Sequence, residues 1–208
     1  MPASADPRPY HHGNLRTELL AAAERGLRAH GADQLSLRDL AREIGVSHAA
    51  PRRHFADRRA LLDALAEAGF VRLGADLRAA LSEDDGVRAE DDGRRDFPAR
   101  VRDAVTAYAR FATENAALCE LMNSSKHHPG SPLVTQAAAG AFQQMTDLIE
   151  EGQALGALDG SDPEEVGIIL YATVQGITAM VNNAMIDAGR LDGLISTAVR
   201  QFLRGARP

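Results

Sequence analysis

Apolar residues recur at helical spacing along almost the whole chain. Leu15, Leu19, Ala23 and Leu27 share one helical face, whereas the alternating β-branched runs that indicate strands are nearly missing. Such a chain has no sheet to build a core on and must bury the apolar faces of its helices against one another. Its 208 residues suffice for one sizeable domain or two small ones. The pattern predicts an all-α fold of about nine helices.

Capping residues divide the predicted helices. Gly31 is a left-handed C-cap, Ser36 is an N-cap with Asp39 three residues later, and Gly45 ends the second helix. A polar, acid-rich stretch interrupts the pattern further along the chain. We predict five segments: a flexible arm at 1–9, a helix-turn-helix domain at 10–57, a connecting helix at 58–81, an acidic mobile loop at 82–97 and a second helical domain at 98–208.

Charge is distributed unevenly over these segments. Residues 8–59 hold 10 Arg against 6 Asp and Glu, whereas residues 60–208 hold 13 Lys and Arg against 22 acids. A basic N-terminal quarter on an acidic body indicates two modules with different partners, although arginine richness alone also reflects codon bias. The N-terminus lacks the apolar region of a signal peptide, no run is long enough to span a membrane, and Cys119 is the single cysteine. We expect a cytoplasmic protein.

The segment "GVSHAAPRRHF" (45–55) places a proline among small and basic residues after a tight turn. The first four N–H groups of a helix lack an intrahelical partner, so a proline there costs far less than one inside a helix. Pro51 therefore permits a short helix that begins close to Ser47. A short helix, a turn at Gly45 and a second short helix predict a helix-turn-helix.

The stretch "SLRDLAREIGVSHAAPRRHFADRRALLDAL" (36–65) resembles the DNA-binding domain of the TetR family of bacterial transcriptional regulators. "YHHGNLRTELLAAA" (10–23), "ENAALCELM" (114–122) and "YATVQG" (171–176) resemble one subgroup that carries a late Trp-x-x-Val-His-Gly motif. Three residues depart from that pattern. Arg52 replaces a phosphate-contacting tyrosine, Tyr171 replaces the tryptophan, and Gln175 replaces the histidine.

This resemblance implies DNA contacts in the first domain. Small residues let the backbone approach base edges, and arginine binds guanine bidentately or pairs with phosphate. His48 and Arg53 are the candidates for base edges, whereas Arg38 and His54 could instead serve the packing of the domain. The predicted DNA-binding residues are Ser36, Arg38, Ser47, His48, Ala49, Arg52, Arg53, His54 and Arg58.

The resemblance also implies a ligand pocket in the second domain, where methionine and aromatic side chains suit an adaptable apolar site. An ordinary helix-bundle core is the alternative for each of these residues. The predicted pocket residues are Tyr108, Phe111, Cys119, Met122, Phe142, Met145, Gln175 and Met180. We predict no cofactor beyond an unidentified small-molecule effector. Cys119, His127 and His128 lack the spacing of a metal site.

Two C-terminal helices, at 163–188 and 191–204, carry apolar residues on more than one face. Members of the family pair these helices into a four-helix dimer interface, which supplies the two-fold symmetry that a palindromic operator requires. The predicted interface residues are Ile169, Thr173, Ile177, Val181, Leu194, Ala198 and Phe202.

Three functions compete at this stage. The first is a homodimeric, ligand-responsive DNA-binding regulator, usually a repressor. The second is a helical enzyme or small-molecule carrier, but the sequence shows no nucleophile–base pair, phosphate-binding glycine loop or metal cluster. The third is a regulator of the same fold that has no effector and acts through promoter competition.

Overall fold

The computed structural model describes residues 15–82, 97–126 and 131–206. Within these ranges the chain forms eight α-helices and three short 3-10 helices, and contains no strand. The all-α prediction is therefore confirmed. The predicted arm at 1–9, residues 83–96 of the predicted acidic loop, and His127 and His128 lie outside the described residues.

The helices are named in chain order. The α-helices are α1 Leu15–His30, α2 Leu37–Glu43, α3 Arg58–Ser82, α4 Phe97–Glu114, α5 Ala116–Lys126, α6 Pro132–Ala154, α7 Pro163–Asn182 and α8 Leu191–Gly205. The 3-10 helices are Ala32–Gln34, Pro51–Arg53 and Ala188–Arg190.

The chain divides into two compact units after Leu65, inside α3. The sequence predicted a boundary at residue 57, before this helix. The first turns of α3 belong to the N-terminal unit because Arg58 Nε donates to the carbonyl oxygen of Leu35 at 3.0 Å. Leu61 is also fully buried. The remainder of α3, from Ala66, belongs to the C-terminal unit.

Local signals set the helix ends in the N-terminal unit as the sequence predicts. Gly31 and Gly45 adopt φ angles of 78° and 72°, a conformation that L side chains rarely tolerate. The Ser36 side chain accepts from the Asp39 amide at 3.5 Å and caps α2. Leu19 and Phe55 contribute to the buried core beneath these turns.

The C-terminal unit is a helical bundle in which α8 packs on α4 and α7, while α6 packs on α7. Its fully buried side chains include Phe70, Val105, Leu148, Val174 and Ile195. Asp162 caps α7 by accepting from the Glu164 amide at 2.9 Å, and Pro163 occupies the first turn, where it sacrifices no hydrogen bond.

Candidate nucleic-acid interface and cavity

The segment after α2 is a succession of turns rather than the α-helix predicted to begin near Ser47. Its helical part is the 3-10 helix Pro51–Arg53, preceded by Ala50 as the N-cap. The amides of Ala50, Arg53 and His54 each donate to a carbonyl three residues earlier, at 3.0, 3.2 and 3.0 Å. Only Phe55 makes a bond of the α type here, to the Pro51 carbonyl.

Pro51 explains why the segment takes this form. In an α-helix capped by Ser47, residue 51 would donate its amide to the Ser47 carbonyl, but proline has no N–H. The Ala50 amide takes that carbonyl instead, at 3.0 Å, and tightens the turn into 3-10 geometry. The short helix predicted to begin close to Ser47 therefore begins only at Pro51, with Ala50 as its cap and no side-chain bond.

Arg16 lies over the ring of Phe55, 5.4 Å from its centroid, and the other described arginines of this unit fall into two groups. Arg25, Arg28, Arg42, Arg58 and Arg59 each form an ion pair with a carboxylate. By contrast, no described carboxylate pairs with Arg38, Arg52 or Arg53, and all three side chains are exposed. The unit thus presents uncompensated positive charge on α2 and on the turn that follows it.

The other predicted DNA-binding residues occupy different settings. Ser47, His48, Ala49 and His54 are exposed, whereas Ser36 is half-buried at the start of α2. Arg58, which was predicted to contact phosphate, instead binds groups within its own unit. Its guanidinium bonds the carbonyl oxygens of Leu35 and Ala32 and lies 3.6 Å from Asp33.

A cavity of about 460 Å³ lies within the C-terminal unit, a volume typical of small-molecule sites. Helices α3 to α7 contribute its walls. Most of the lining is apolar, and its charged members are Lys126 and Glu164. The lining residues include Leu77, Val105, Tyr108, Lys126, Phe142, Met145, Ile149, Glu164, Ile168, Leu170, Tyr171 and Val174.

Three of the eight predicted pocket residues line this cavity: Tyr108, Phe142 and Met145. The other five point elsewhere. Phe111 and Met122 are buried in the core, the ring of Phe111 against Arg72 and the side chain of Met122 close to Gly69. Cys119 is half-buried outside the lining, and Met180 is exposed.

Gln175 also lies outside the lining, but it acts on a residue that belongs to it. Its Nε2 donates to the Tyr171 hydroxyl oxygen at 3.0 Å, and that hydroxyl donates to Asn123 Oδ1 at 3.1 Å. Thr178 Oγ1 lies 3.4 Å from Gln175 Oε1 and is buried. This chain of hydrogen bonds fixes the direction of the Tyr171 hydroxyl at the cavity wall.

Aromatic rings cluster at the same end of the cavity. Tyr171 packs against Tyr108 with ring centroids 5.6 Å apart and against Phe142 at 5.5 Å. Burial raises the pKa of Tyr108, and the neighbouring Tyr171 hydroxyl raises it further. The Tyr108 phenol is therefore protonated throughout the physiological range.

Sequence reasoning missed Lys126, whose Nζ lies 5.4 Å from the Tyr171 ring centroid and 5.9 Å from that of Phe142. One signal could have identified it. Lys126 is the single lysine in a chain whose other basic residues, histidines aside, are all arginines.

The predicted dimer-interface residues lie on α7 and α8, which pack against each other. Ile169 is 61% exposed, which is high for a side chain of this size, and Thr173 is exposed as well. The remaining predicted residues are half-buried: Ile177, Val181, Leu194, Ala198 and Phe202.

No helix in ranges 15–82, 97–126 or 131–206 combines the length and apolar character needed to cross a bilayer. Among the same residues, no cluster of three or more His, Cys, Asp or Glu side chains is arranged to hold a metal ion.

Comparison with known sequences decides the nature of the N-terminal unit. Residues 19–65 match the family of bacterial regulatory proteins named after TetR. The N-terminal unit is a TetR-family DNA-binding domain. The match covers α2, the turn at Gly45 and the 3-10 helix, which are the elements that present the exposed arginines.

Solved structures extend the likeness beyond the TetR-family domain. A Rhodococcus sp. RHA1 protein of unknown function is 40% identical, with a TM-score of 0.85 over 97% of this chain and 100% of that one. A putative TetR-family transcription regulator from Shewanella sp. PV-4 is 19% identical, with a TM-score of 0.70 over 92% of this chain and 97% of that one.

The fatty acid degradation regulator FadR from Bacillus halodurans is 15% identical, with a TM-score of 0.72 over 95% of this chain and 98% of that one. At such identities the likeness to FadR and to the Shewanella regulator concerns the fold alone. No curated protein matches this chain. The chain therefore combines a TetR-family DNA-binding domain with the fold of TetR-family regulators.

Proposed function

We propose that this protein is a homodimeric transcriptional repressor that binds a palindromic operator and is released by a small, mainly apolar ligand. The observation that carries the proposal is the exposed positive charge of Arg38, Arg52 and Arg53 on the TetR-family domain. Binding of polyanionic DNA uses cations that are not already neutralised within the protein. We place its action in the cytoplasm, where the DNA is.

The three arginines divide into two proposed tasks. Arg53 and His48 face base edges, while Arg38 and Arg52 contact phosphate, together with the exposed backbone near Ser47. Arg58 is omitted from this set because its guanidinium already bonds two carbonyl oxygens.

Dimerisation through α7 and α8 would supply the symmetry of the operator. Ile169 exposes 61% of its surface on α7, and a second copy of the chain would cover it. A two-fold dimer of this kind presents two recognition turns to half-sites related by the same symmetry.

The cavity supports the proposed response to a ligand. Leu77, in the part of α3 that belongs to the C-terminal unit, lines the cavity, and the same helix begins in the TetR-family domain. A ligand that favours one position of this helix over another would shift the population of the DNA-binding form.

We also propose, from the sequence resemblance, that the chain belongs to the TetR subgroup with the late Trp-x-x-Val-His-Gly motif. Two alternatives, a carrier or enzyme with the same fold and a regulator without an effector, predict different experimental outcomes. The carrier would bind ligand and show no preference for any DNA. The regulator without an effector would bind DNA and keep the same melting temperature across a ligand screen.

The experiment is a titration of the purified full chain against DNA from its own upstream region, at about 150 mM salt, where non-specific contacts are weakened. We expect binding at least tenfold tighter than to a random duplex of equal length. Equal affinity for both duplexes would contradict the proposed function. A footprint on the same DNA then locates the operator.

A matched pair of variants ties the binding to the proposed surface. The double substitution Arg52→Ala with Arg53→Ala should abolish the preference for upstream DNA. Arg42→Ala removes an exposed arginine that pairs with Asp39 at 2.9 Å on the neighbouring helix. This control should leave affinity within about threefold of the original, since surface ion pairs contribute little.

A further inference from the structure

The cavity is asymmetric in charge along α7. Glu164 lies in the first turn of the helix and Tyr171 lies seven residues later, about 10 Å further along the axis. Lys126 sits at the Tyr171 end. One end of the cavity is thus positive and the other negative, with apolar wall between them.

Lys126 forms no ion pair with a described carboxylate, and Glu164, the other charged residue of the cavity, lies in the first turn of α7. No described carboxylate lies within salt-bridge distance of its Nζ, and no described oxygen accepts a hydrogen bond from it. Its described contacts are the faces of Phe142 and Tyr171. Lys126 is half-buried and carries three N–H donors, none of which has an acceptor among the described residues, so its ammonium is available to an anion.

The neighbouring hydroxyl of Tyr171 cannot take this role. Its proton points to Asn123 Oδ1 at 3.1 Å, and its oxygen already accepts from Gln175 at 3.0 Å. The charged donor for an anionic group at this end is therefore Lys126. The network holds the Tyr171 ring in place as a platform beneath the ammonium.

The same arrangement disfavours other classes of ligand. A cationic ligand that sought the aromatic rings would meet the ammonium of Lys126 over the same faces. A dianion such as a phosphate monoester would bring two charges to a site where one described cation lines the wall. A monoanionic head on an apolar body matches both the single positive charge and the apolar lining.

We propose that the cavity binds a monocarboxylic acid with an aliphatic or aromatic body, its carboxylate paired with Lys126 and its body lying against Leu77, Val105, Ile149 and Leu170. This inference rests on the proposed ligand-responsive function and names the chemical class of the ligand. The body extends toward the Ile168 end of the cavity, where Glu164 would repel a second carboxylate.

The test compares matched probes on the full chain without DNA, by calorimetry: octanoate, 3-phenylpropionate, octan-1-ol, octylamine and octyl phosphate. At least one of the two acids should bind tenfold or more tightly than octan-1-ol, since a hydrogen bond to a charged group contributes about that factor. If neither acid binds, or if octan-1-ol, octylamine or octyl phosphate binds as tightly as the better acid, the proposal is overturned.

Variants assign the effect to the ammonium. Lys126→Met should weaken binding of the better acid about tenfold or more while leaving that of octan-1-ol unchanged, which also shows that the cavity is intact. Lys126→Arg should restore most of the affinity. Arg72→Met is the matched control, because Arg72 also lies over a ring, 5.4 Å from the centroid of Phe111, but outside the cavity. Unchanged acid affinity in Lys126→Met would refute the pairing.

The single lysine also permits a direct spectroscopic observation. Reductive methylation with [13C]formaldehyde labels Lys126 and the α-amino group, which gives one side-chain signal. Addition of the better acid should shift that signal and octan-1-ol should not, and equal shifts would overturn the contact.

DNA binding is measured separately, so that the two proposals fail independently. If the acid binds through Lys126 but does not release upstream DNA, the ligand class stands and the effector role fails. If the acid does not bind while the protein still recognises its operator, the ligand class fails and the regulator stands.

Discussion

Arg52 and Arg53 are adjacent in one turn of 3-10 helix, yet three residues per turn direct their side chains about 120° apart. Neighbours with such different directions cannot both face the same groove floor. This is the physical basis for assigning one to bases and the other to phosphate.

We predict that Arg53→Ala relaxes sequence preference, with a loss of about 1–3 kcal/mol on the operator and little on random DNA. Arg52→Ala should weaken binding evenly across sequences and reduce the salt slope of log K by about one. Titrations on operator and random duplexes at several salt concentrations measure both effects. Equal losses of specificity from the two variants would contradict the division.

Cys119 provides a second prediction at the scale of single residues. Burial raises the pKa of its thiol to about 11, and Arg72 only partly offsets this. The nucleophile is the thiolate, so alkylation by iodoacetamide at pH 8 should be about a hundredfold slower in the folded protein than in the chain unfolded in guanidinium. The rate should rise with pH until near 11. Similar rates in both states at pH 8 would contradict the shift.

At the scale of elements, the sequence predicted those features that depend on local chemistry. Gly31, Ser36 and Gly45 end or begin helices because their backbone or side-chain preferences act within one turn. The geometry after Gly45 was harder to predict. Pro51 was predicted to permit a short helix near Ser47, but the Ala50 amide bonds the Ser47 carbonyl and the chain turns there with 3-10 geometry.

The residues that line the cavity could be predicted only in part from the sequence. Phe111 and Phe142 are both phenylalanines at helical spacing, and the sequence predicted both as pocket residues. In the structure Phe111 is buried in the core, whereas Phe142 lines the cavity. Which face of a helix borders empty space depends on the neighbouring helices, and no local signal carries that information. Lys126 was missed because a lysine at a helix end usually faces solvent.

Helix α6 supplies a prediction about packing. A Cβ at Gly152 would overlap the Phe97 ring and lie 2.9 Å from Leu158, so Gly152→Ala should overpack the core. We expect a loss of about 1–2 kcal/mol in the free energy of unfolding, because this strain outweighs the helix propensity of alanine. Denaturant unfolding measures it.

The control for this prediction lies on the same helix. Gly140 has no neighbouring atom within 4 Å of the position of a Cβ. Gly140→Ala should therefore stabilise the protein by about 0.5–1 kcal/mol through helix propensity. An equal change in the free energy of unfolding in the two variants would contradict the predicted clash between Phe97 and a side chain at residue 152.

At the scale of the whole molecule, the proposed dimer can be tested by the molecular mass of an interface variant in solution. Ile169→Asp should yield monomers by light scattering and lose operator binding, because a carboxylate in an apolar interface has no partner. Val71→Asp is the matched control, since Val71 is 59% exposed in the same unit but lies on α3. This variant should stay dimeric. A dimeric Ile169→Asp protein would place the interface elsewhere.

The turn that ends in Pro51–Arg53 has a thermodynamic consequence for DNA recognition. Three of its backbone bonds span three residues and one spans four, so the segment lacks the continuous ladder that makes a helix rigid before binding. DNA phosphates would become additional acceptors for its amides. Association would then include an ordering step, with an entropy cost and slower hydrogen exchange at 48–55 in the complex. Operator affinity would fall with heating more steeply than for a repressor whose recognition helix is already formed.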